Sequence, residues 1–338
     1  MELLKHGFML LGRKQMSSWV RAHTNIALIK YWGKENEELI IPMNHSLSLT
    51  LDAFYTDTKV LFDDSLNQDE LVLDGVLQGH ESLKKVQVVL NRVREMAGIS
   101  SHARVESINH VPTAAGLASS ASGLAALAGA ASHAAGLSLS EKDLSRLARI
   151  GSGSASRSIY GGFAEWIKGY DDKTSFAVLV DDADWDIGML FIVVNDAKKD
   201  VSSREGMRRT VETSPFYDGW LQTVDGDLTN MKEAISKRDV YTVGEIAERS
   251  ALKMHATTLG AIPPFTYWSA ESMKAMDAVR QLRKKGYAVH FTMDAGPNVK
   301  LICKASELAE LKRLLSEHFD TSQLIEARPG PGLHVLTR

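Results

Sequence analysis

The sequence predicts an α+β fold. Short β-rich segments crowd the first part of the chain, and longer amphipathic segments of helical spacing crowd the second. The length, 338 residues, suggests about two domains of the usual ~100–200 residues each.

In the first part, NIALIKYW (25–32), LSLTLDAF (47–54), TDTKVLF (56–62) and ELVLDGV (70–76) are separated by turn residues and read as strands of a largely antiparallel sheet. ESLKKVQVVLNRVREMAG carries apolar residues near helical spacing and ends on Gly98, so it reads as a helix with a glycine stop. HARVESIN is a strand leading into an uncharged stretch. LASSASGLAALAGAASHAAG then reads as a helix of very small residues that lets its neighbours approach closely. SEKDLSRLARIG is a helix with Ser140 as N-cap and Gly151 as stop, and GGFAEWIKG is a strand. DIGMLFIVVND is a continuous apolar strand, taken as the start of the second domain. Three helical segments follow, then the strands YAVHFTMD and NVKLICKA around a tight loop, a helix (SELAELKRLLSEHF) and a last strand, GLHVLTR. The expected division is an N-terminal extension over 1–16, with Met16 as an alternative start, a first domain over 17–185 and a second over 186–338.

A net charge of −3 gives no general attraction to nucleic acid or to anionic membranes, so an anionic ligand must be met by a local cluster of cations. The one cysteine, Cys303, permits no intrachain disulfide and no zinc-ligand pattern, which suits a cytoplasmic chain. It lies in the strand VKLICKA, where a buried thiol is expected to be inert.

Between Glu106 and Glu141 there is no charged residue. The stretch holds too many serines, glycines and polar groups to span a bilayer, which takes ~20 mainly large apolar residues. Within it, PTAAGLASSASG places a Gly-Ser turn between a strand and a helix. Free backbone N–H groups at that helix start, with Gly116 for close approach and the Ser119 and Ser120 hydroxyls, would make a phosphate cradle. The Gly-Lys-Ser/Thr of the Walker loop is absent, and a tightly packed helix with serine caps is an equal reading.

Three more segments offer groups for oxyanions, and a fourth offers a carboxylate. GSGSASRSIYGG supplies Ser152, Ser154 and Arg157, whose guanidinium could fork a carboxylate, or else it is a polar, flexible loop. NIALIKYWGK supplies Lys30, Tyr31 and Lys34, the two lysines sharing a face if the strand stays regular that far, or a solvated edge. AKKDVSSR supplies Lys199, Ser202, Ser203 and Arg204, or a solvated turn. FTMDAGPN places the Asp294 carboxylate at the rigid end of an apolar strand, or in a structural hairpin.

PTAAGLASSASG resembles the phosphate-binding loop of the superfamily of galactose, homoserine, mevalonate and phosphomevalonate kinases. ALIKYWGK, GSGSASRSIYGGFAEW, KKDVSSREGM, MHATTLGAIPPFTY and FTMDAGPN resemble the motifs of the diphosphomevalonate decarboxylase family, in order from about Arg21 to Lys300. The resemblance implies a two-domain small-molecule-kinase-like fold. Its N-terminal half would be a mixed or antiparallel sheet with helices, its C-terminal half an α/β sandwich, and its active site the cleft between them. It implies ATP- and Mg²⁺-dependent decarboxylation of mevalonate 5-diphosphate, in a homodimer. Asp294, Lys30 and Arg157 would carry the chemistry. Tyr31, Lys34, Ser152, Ser154, Ser203 and Arg204 would bind substrate with Arg157. Ser107, Asn109, Gly116, Leu117, Ala118, Ser119, Ser120 and Lys199 would hold the nucleotide, with Ser119 and Ser120 toward the metal. A kinase of the same superfamily, or a decarboxylase of mevalonate 5-phosphate, are the alternatives.

Overall fold

The computed structural model describes residues 17–110, 119–194 and 200–337. The 1–16 extension, Gly116, Leu117, Ala118 and Lys199 lie outside them, as does the Ser119 side chain.

The β-rich first part forms an eight-stranded sheet. Its strands are β1 (Val20–Ile29), β4 (Ser46–Asp63), β5 (Glu70–Leu73), β6 (Val76–Leu77), β7 (His102–His110), β8 (Phe163–Ile167), β9 (Phe176–Asp181) and β14 (His334–Val335); β2 (Lys34–Asn36) and β3 (Ile41–Pro42) make a separate hairpin. The sheet is antiparallel except where β5 runs parallel to β7. That parallel return is made by α1 (His80–Ala97), as a parallel connection needs a crossover. LSLTLDAF and TDTKVLF form one strand, β4, because no glycine or proline interrupts them. Its first half pairs with β8 and its second with β7, while β1 runs along both.

Three helices cover one face: α1, α2 (Ser119–Ala134) and α3 (Glu141–Gly151). The buried alanines of α2 let its backbone sit close on β1 and β4, and a Cβ at Gly129 would meet Leu333 and Val20 at about 3 Å. Ser140 caps α3 as expected, accepting from Asp143 N at 3.2 Å.

The second sheet has the order β11-β12-β10-β13, all antiparallel: β10 (Gly188–Ile192), β11 (His290–Thr292), β12 (Val299–Cys303) and β13 (Leu324–Ala327). α4 (Ser203–Thr213) leads into α5 (Tyr217–Ser236) and α6 (Val240–Leu259), which join β1 and β10 in one core. α7 (Ala270–Lys284) and α8 (Leu308–Leu315) bury the opposite face of the sheet. β1 is therefore buried nearly throughout: Val20 and Ala22 belong to the core under α2, while Ile26, Leu28 and Ile29 belong to the core shared with the second sheet.

Three local expectations change. NIALIKYW leaves the sheet after Ile29, and Gly33 takes a φ of +99°, with Tyr217 packed where a side chain would be. GSGSASRSI is no flexible surface but a 3₁₀ turn, Gly153–Ile159, mostly buried against α2 and α3. The final segment crosses back to pair β14 with β1 (Val20↔Val335), so the last residues sit on the first sheet.

Candidate active site

The two sheets flank a cleft of about 460 Å³, within the usual size range of small-molecule sites. The segment leaving β1 is its spine. Lys30 N donates to Ser250 on α6, Asn44 holds the Lys30 carbonyl, and Tyr217 donates to the Trp32 carbonyl. Trp32 Nε1 donates to Thr210 on α4 at 2.7 Å. Lys30, Tyr31 and Lys34 all line the cleft. Regular strand alternation does not bring them there, since the strand breaks between them; the turn at Gly33 does.

Asp294 follows β11 and meets two lysines. Lys30 Nζ lies 2.7 Å from Oδ1, and Lys300 Nζ lies 3.0 Å from Oδ2. Lys30 also donates to the Ala27 carbonyl at 2.7 Å. Both lysines are buried, with 2% and 3% exposed, whereas the Asp294 side chain keeps 37% exposure toward the cleft. Burial favours the neutral acid, but the two ammoniums outweigh it and hold the carboxyl well below its ordinary range. Asp294 is thus an ionised acceptor and a weak base. Burial pushes Lys30 down to about 8, against the pull of Asp294 and with the help of Lys300 and Arg157.

Arg157 projects from the 3₁₀ turn, only 2% exposed. It donates to Ser46 Oγ at 2.6 Å, Ser48 Oγ at 3.0 Å and Asn25 Oδ1 at 3.3 Å, all neutral oxygens. Among the described residues no carboxylate forms an ion pair with it. Burial lowers it to about 10, which leaves it charged at neutral pH. Beside it, the Ser152 and Ser154 hydroxyls lie 3.3 Å apart on the cleft wall. Gly153 is required here, because a Cβ would lie 2.5 Å from Trp166 and 3.1 Å from Tyr31. Burial keeps the Tyr31 phenol protonated and so a donor.

At the other end of the cleft, Ser202 caps α4 by accepting from Glu205 N. Ser203 and Arg204 become the first two helical residues, so the run read as a turn is a helix N-terminus that lines the cleft. Lys85, from α1, joins them. Burial and the neighbouring Arg204 and Lys34 push its pKa down. Cations crowded around open space suit a multiply charged anion, and Lys34 pairs with the exposed Glu37 at 2.5 Å.

Ser120 lines the same cleft at the start of α2. Ser107 and Asn109 do not. Ser107 bonds Thr58 at 2.7 Å, while Asn109 donates to Asp74 and accepts from Thr56 across β4. Sequence reading missed Asn25, Lys85, Asn298 and Lys300, which line the cleft. It also missed His255 on α6, behind Asp294, which burial and the nearby Lys30 push down to about 3 and so keep neutral. For Lys300 a signal existed, since it is the one charge inside the apolar run VKLIC.

Cations from both halves of the molecule and one carboxylate thus face one space. The donor set fits nucleotide phosphates carrying magnesium. Among the described residues no group of three His, Cys, Asp or Glu side chains could cage a metal; Mg²⁺ with a nucleotide is commonly held through phosphate oxygens and few protein groups. Among the described residues no helix is long and apolar enough to cross a membrane.

Residues 22–177 match the family model described as the diphosphomevalonate decarboxylase-like N-terminal domain, and 189–330 the mevalonate 5-diphosphate decarboxylase C-terminal domain. Diphosphomevalonate decarboxylase of Homo sapiens is 36% identical over 312 residues, covering 86% of this chain and 77% of the human one. The solved mevalonate diphosphate decarboxylase from Enterococcus faecalis is 58% identical with a TM-score of 0.91, covering 96% of this chain and 99% of that one. The enzyme from Staphylococcus aureus is 51% identical with a TM-score of 0.92, covering 95% and 98%. A similar structure, 59% identical with a TM-score of 0.91 and coverage of 96% and 99%, is of MDDEF in complex with MVAPP, AMPPCP and magnesium.

Proposed function

This chain belongs to the diphosphomevalonate decarboxylase family, and we propose that it decarboxylates mevalonate 5-diphosphate to isopentenyl diphosphate, using ATP and releasing ADP, phosphate and carbon dioxide. One observation carries the reading: Asp294, held ionised by two lysines, and Arg157, buried with no ion-pair partner among the described residues, open onto the same cleft.

The chemistry suits these groups. A tertiary hydroxyl is a poor leaving group, so the γ-phosphoryl group is transferred to it first: its P–O bond to ADP breaks, and the hydroxyl proton passes to Asp294 or to a phosphoryl oxygen. The C–O bond to the new phosphate then breaks with its electron pair. The carboxylate C–C bond breaks as carbon dioxide leaves, and its electrons form the new double bond. Arg157 grips the substrate carboxylate. Asp294 accepts a hydrogen bond from the hydroxyl and orients it, for which low basicity is no handicap. Ser152 and Ser154 seat the substrate. Tyr31, Lys34, Ser203 and Arg204, with the α4 N-terminus, bind its diphosphate. The nucleotide phosphates fall to Ser120 and, outside the described residues, to Gly116, Leu117, Ala118, the Ser119 hydroxyl and Lys199. Ser120 and, outside the described residues, the Ser119 hydroxyl would lie toward magnesium, which would offset the phosphate charge. The two units are proposed to divide between 185 and 186, with the tail after Ala327 returning to the first, in a cytoplasmic homodimer.

The test is product analysis with mevalonate 5-diphosphate, ATP and magnesium, run beside mevalonate 5-phosphate. Carbon dioxide equimolar with ADP is expected, and preferentially from the diphosphate. ADP without carbon dioxide would make the chain a kinase. Asp294→Ala should abolish turnover yet still bind nucleotide; near-normal activity would remove Asp294 from its role.

A further inference from the structure

We infer that Lys300 is a positioning residue for this reaction, fixing the plane of the Asp294 carboxylate from the side opposite Lys30; the inference rests on the function proposed above.

Lys300 sits mid-strand in β12, opposite Phe191 of β10 and Thr292 of β11. Its neighbours Val299 and Leu301 face the core under α7 and α8, while Lys300 faces the cleft. Every other residue of β12 is apolar. Burying an ammonium at 3% exposure is costly, and one lysine would suffice to neutralise Asp294. Lys30 already does so, at 2.7 Å. Arg157 is also close enough to respond to Asp294, so the second lysine adds positive charge to a region already rich in it. Stability alone therefore gives little reason for Lys300.

Geometry gives one. The terminal torsion of an aspartate is soft, so a single ion pair on Oδ1 leaves the carboxylate free to swing about its bond to Cβ. A second cation on Oδ2, at 3.0 Å, pins that rotation. The part of the carboxylate still exposed then addresses the cleft in one orientation, ready for a hydroxyl. Among the described residues, the charged and titratable groups around Asp294 are Lys30 from the β1 exit, Lys300 from β12, Arg157 from the 3₁₀ turn and His255 from α6.

The experiment compares wild type, Lys300→Met and Lys300→Arg in the full chain, following carbon dioxide release across pH and thermal unfolding. Lys300→Met should lower kcat about ten- to a hundred-fold while KM for each substrate stays within about two-fold. The acid limb of kcat should move to higher pH, because Asp294 has lost one of the cations that keep it ionised. Lys300→Arg should recover most of the rate. If Lys300→Met does not fold, Lys300→Gln replaces it with the same expectations. A kcat within about two-fold of wild type would overturn the inference. So would a loss shared equally by Lys300→Arg with an unmoved acid limb, which would mark Lys300 as packing only. Wild type releasing no carbon dioxide would instead overturn the proposed function, and the inference with it.

Discussion

Arg149 and Arg157 lie two turns apart in sequence and both are buried, yet they are held in opposite ways. Arg149, at the end of α3, pairs with Asp172 at 2.7 Å and donates to the carbonyls of Leu39 and Ser175. Its charge is answered within the protein, and it ties α3 to two loops. Arg157 has three neutral oxygens and an open side toward the cleft. A buried guanidinium costs several kcal/mol unless a counter-ion meets it. The difference teaches where the protein supplies an anion itself and where it leaves an open side, the position proposed for the substrate carboxylate.

The comparison can be broken at either arginine. Arg157→Gln should lower kcat/KM for decarboxylation by about a hundred-fold or more, with the thermal midpoint nearly unchanged; an unaltered rate would take Arg157 out of the site. Arg149→Met should do the reverse. It leaves Asp172 short of a buried partner and should destabilise the fold by about 3 kcal/mol, read as a drop in the denaturation midpoint, while the folded fraction keeps its rate. A rate loss without destabilisation would refute the division of labour.

Acid should sharpen the contrast more gently. Partial burial favours the neutral form of Asp172, but Arg146 and Arg149 together lower its pKa below the ordinary value. A depressed carboxylate contributes stability above its unfolded pKa, near ~4, and loses it as pH falls through the lower folded value. The stability gap between wild type and Asp172→Asn should therefore be full at neutral pH and shrink below ~4. The hydroxyl and amide oxygens around Arg157 do not titrate in that range. A gap that stayed constant would mean that the Asp172 charge contributes nothing.

Much of this was legible in the sequence because its signals are local. The strands and helices follow from periodicity and punctuation, and a polar cap such as Ser140 is visible one turn ahead of its partner. The five segments stood out because each carries groups a site could use: donors or cations for oxyanions in four, a carboxylate in the fifth. Their convergence came only from the resemblance, since nothing in a single segment says that Asp294 meets Lys30. The losses have physical causes. A serine-rich run looks mobile, but GSGSASRSI is buried because its hydroxyls find partners: Ser156 donates to the Gly153 carbonyl and Ser158 accepts from Asn25. Lys85 is one of two adjacent lysines on an amphipathic helix, and only the tertiary fold turns it toward Arg204. Ser107 and Asn109 point to strand neighbours because β7 lies in register with β4, which pattern reading cannot fix.

The return of β14 to β1 has a mechanical consequence. The polypeptide passes from the first sheet to the second over residues 182–187 and comes back after Ala327. Both passages press on one spot: a Cβ on Gly162 would strike Asp181 and Asp182, and one on Gly161 would strike Gly330 and Gly332. Two passages packed against one point tie the two sheets together there, and a side chain at either glycine would push one of them away.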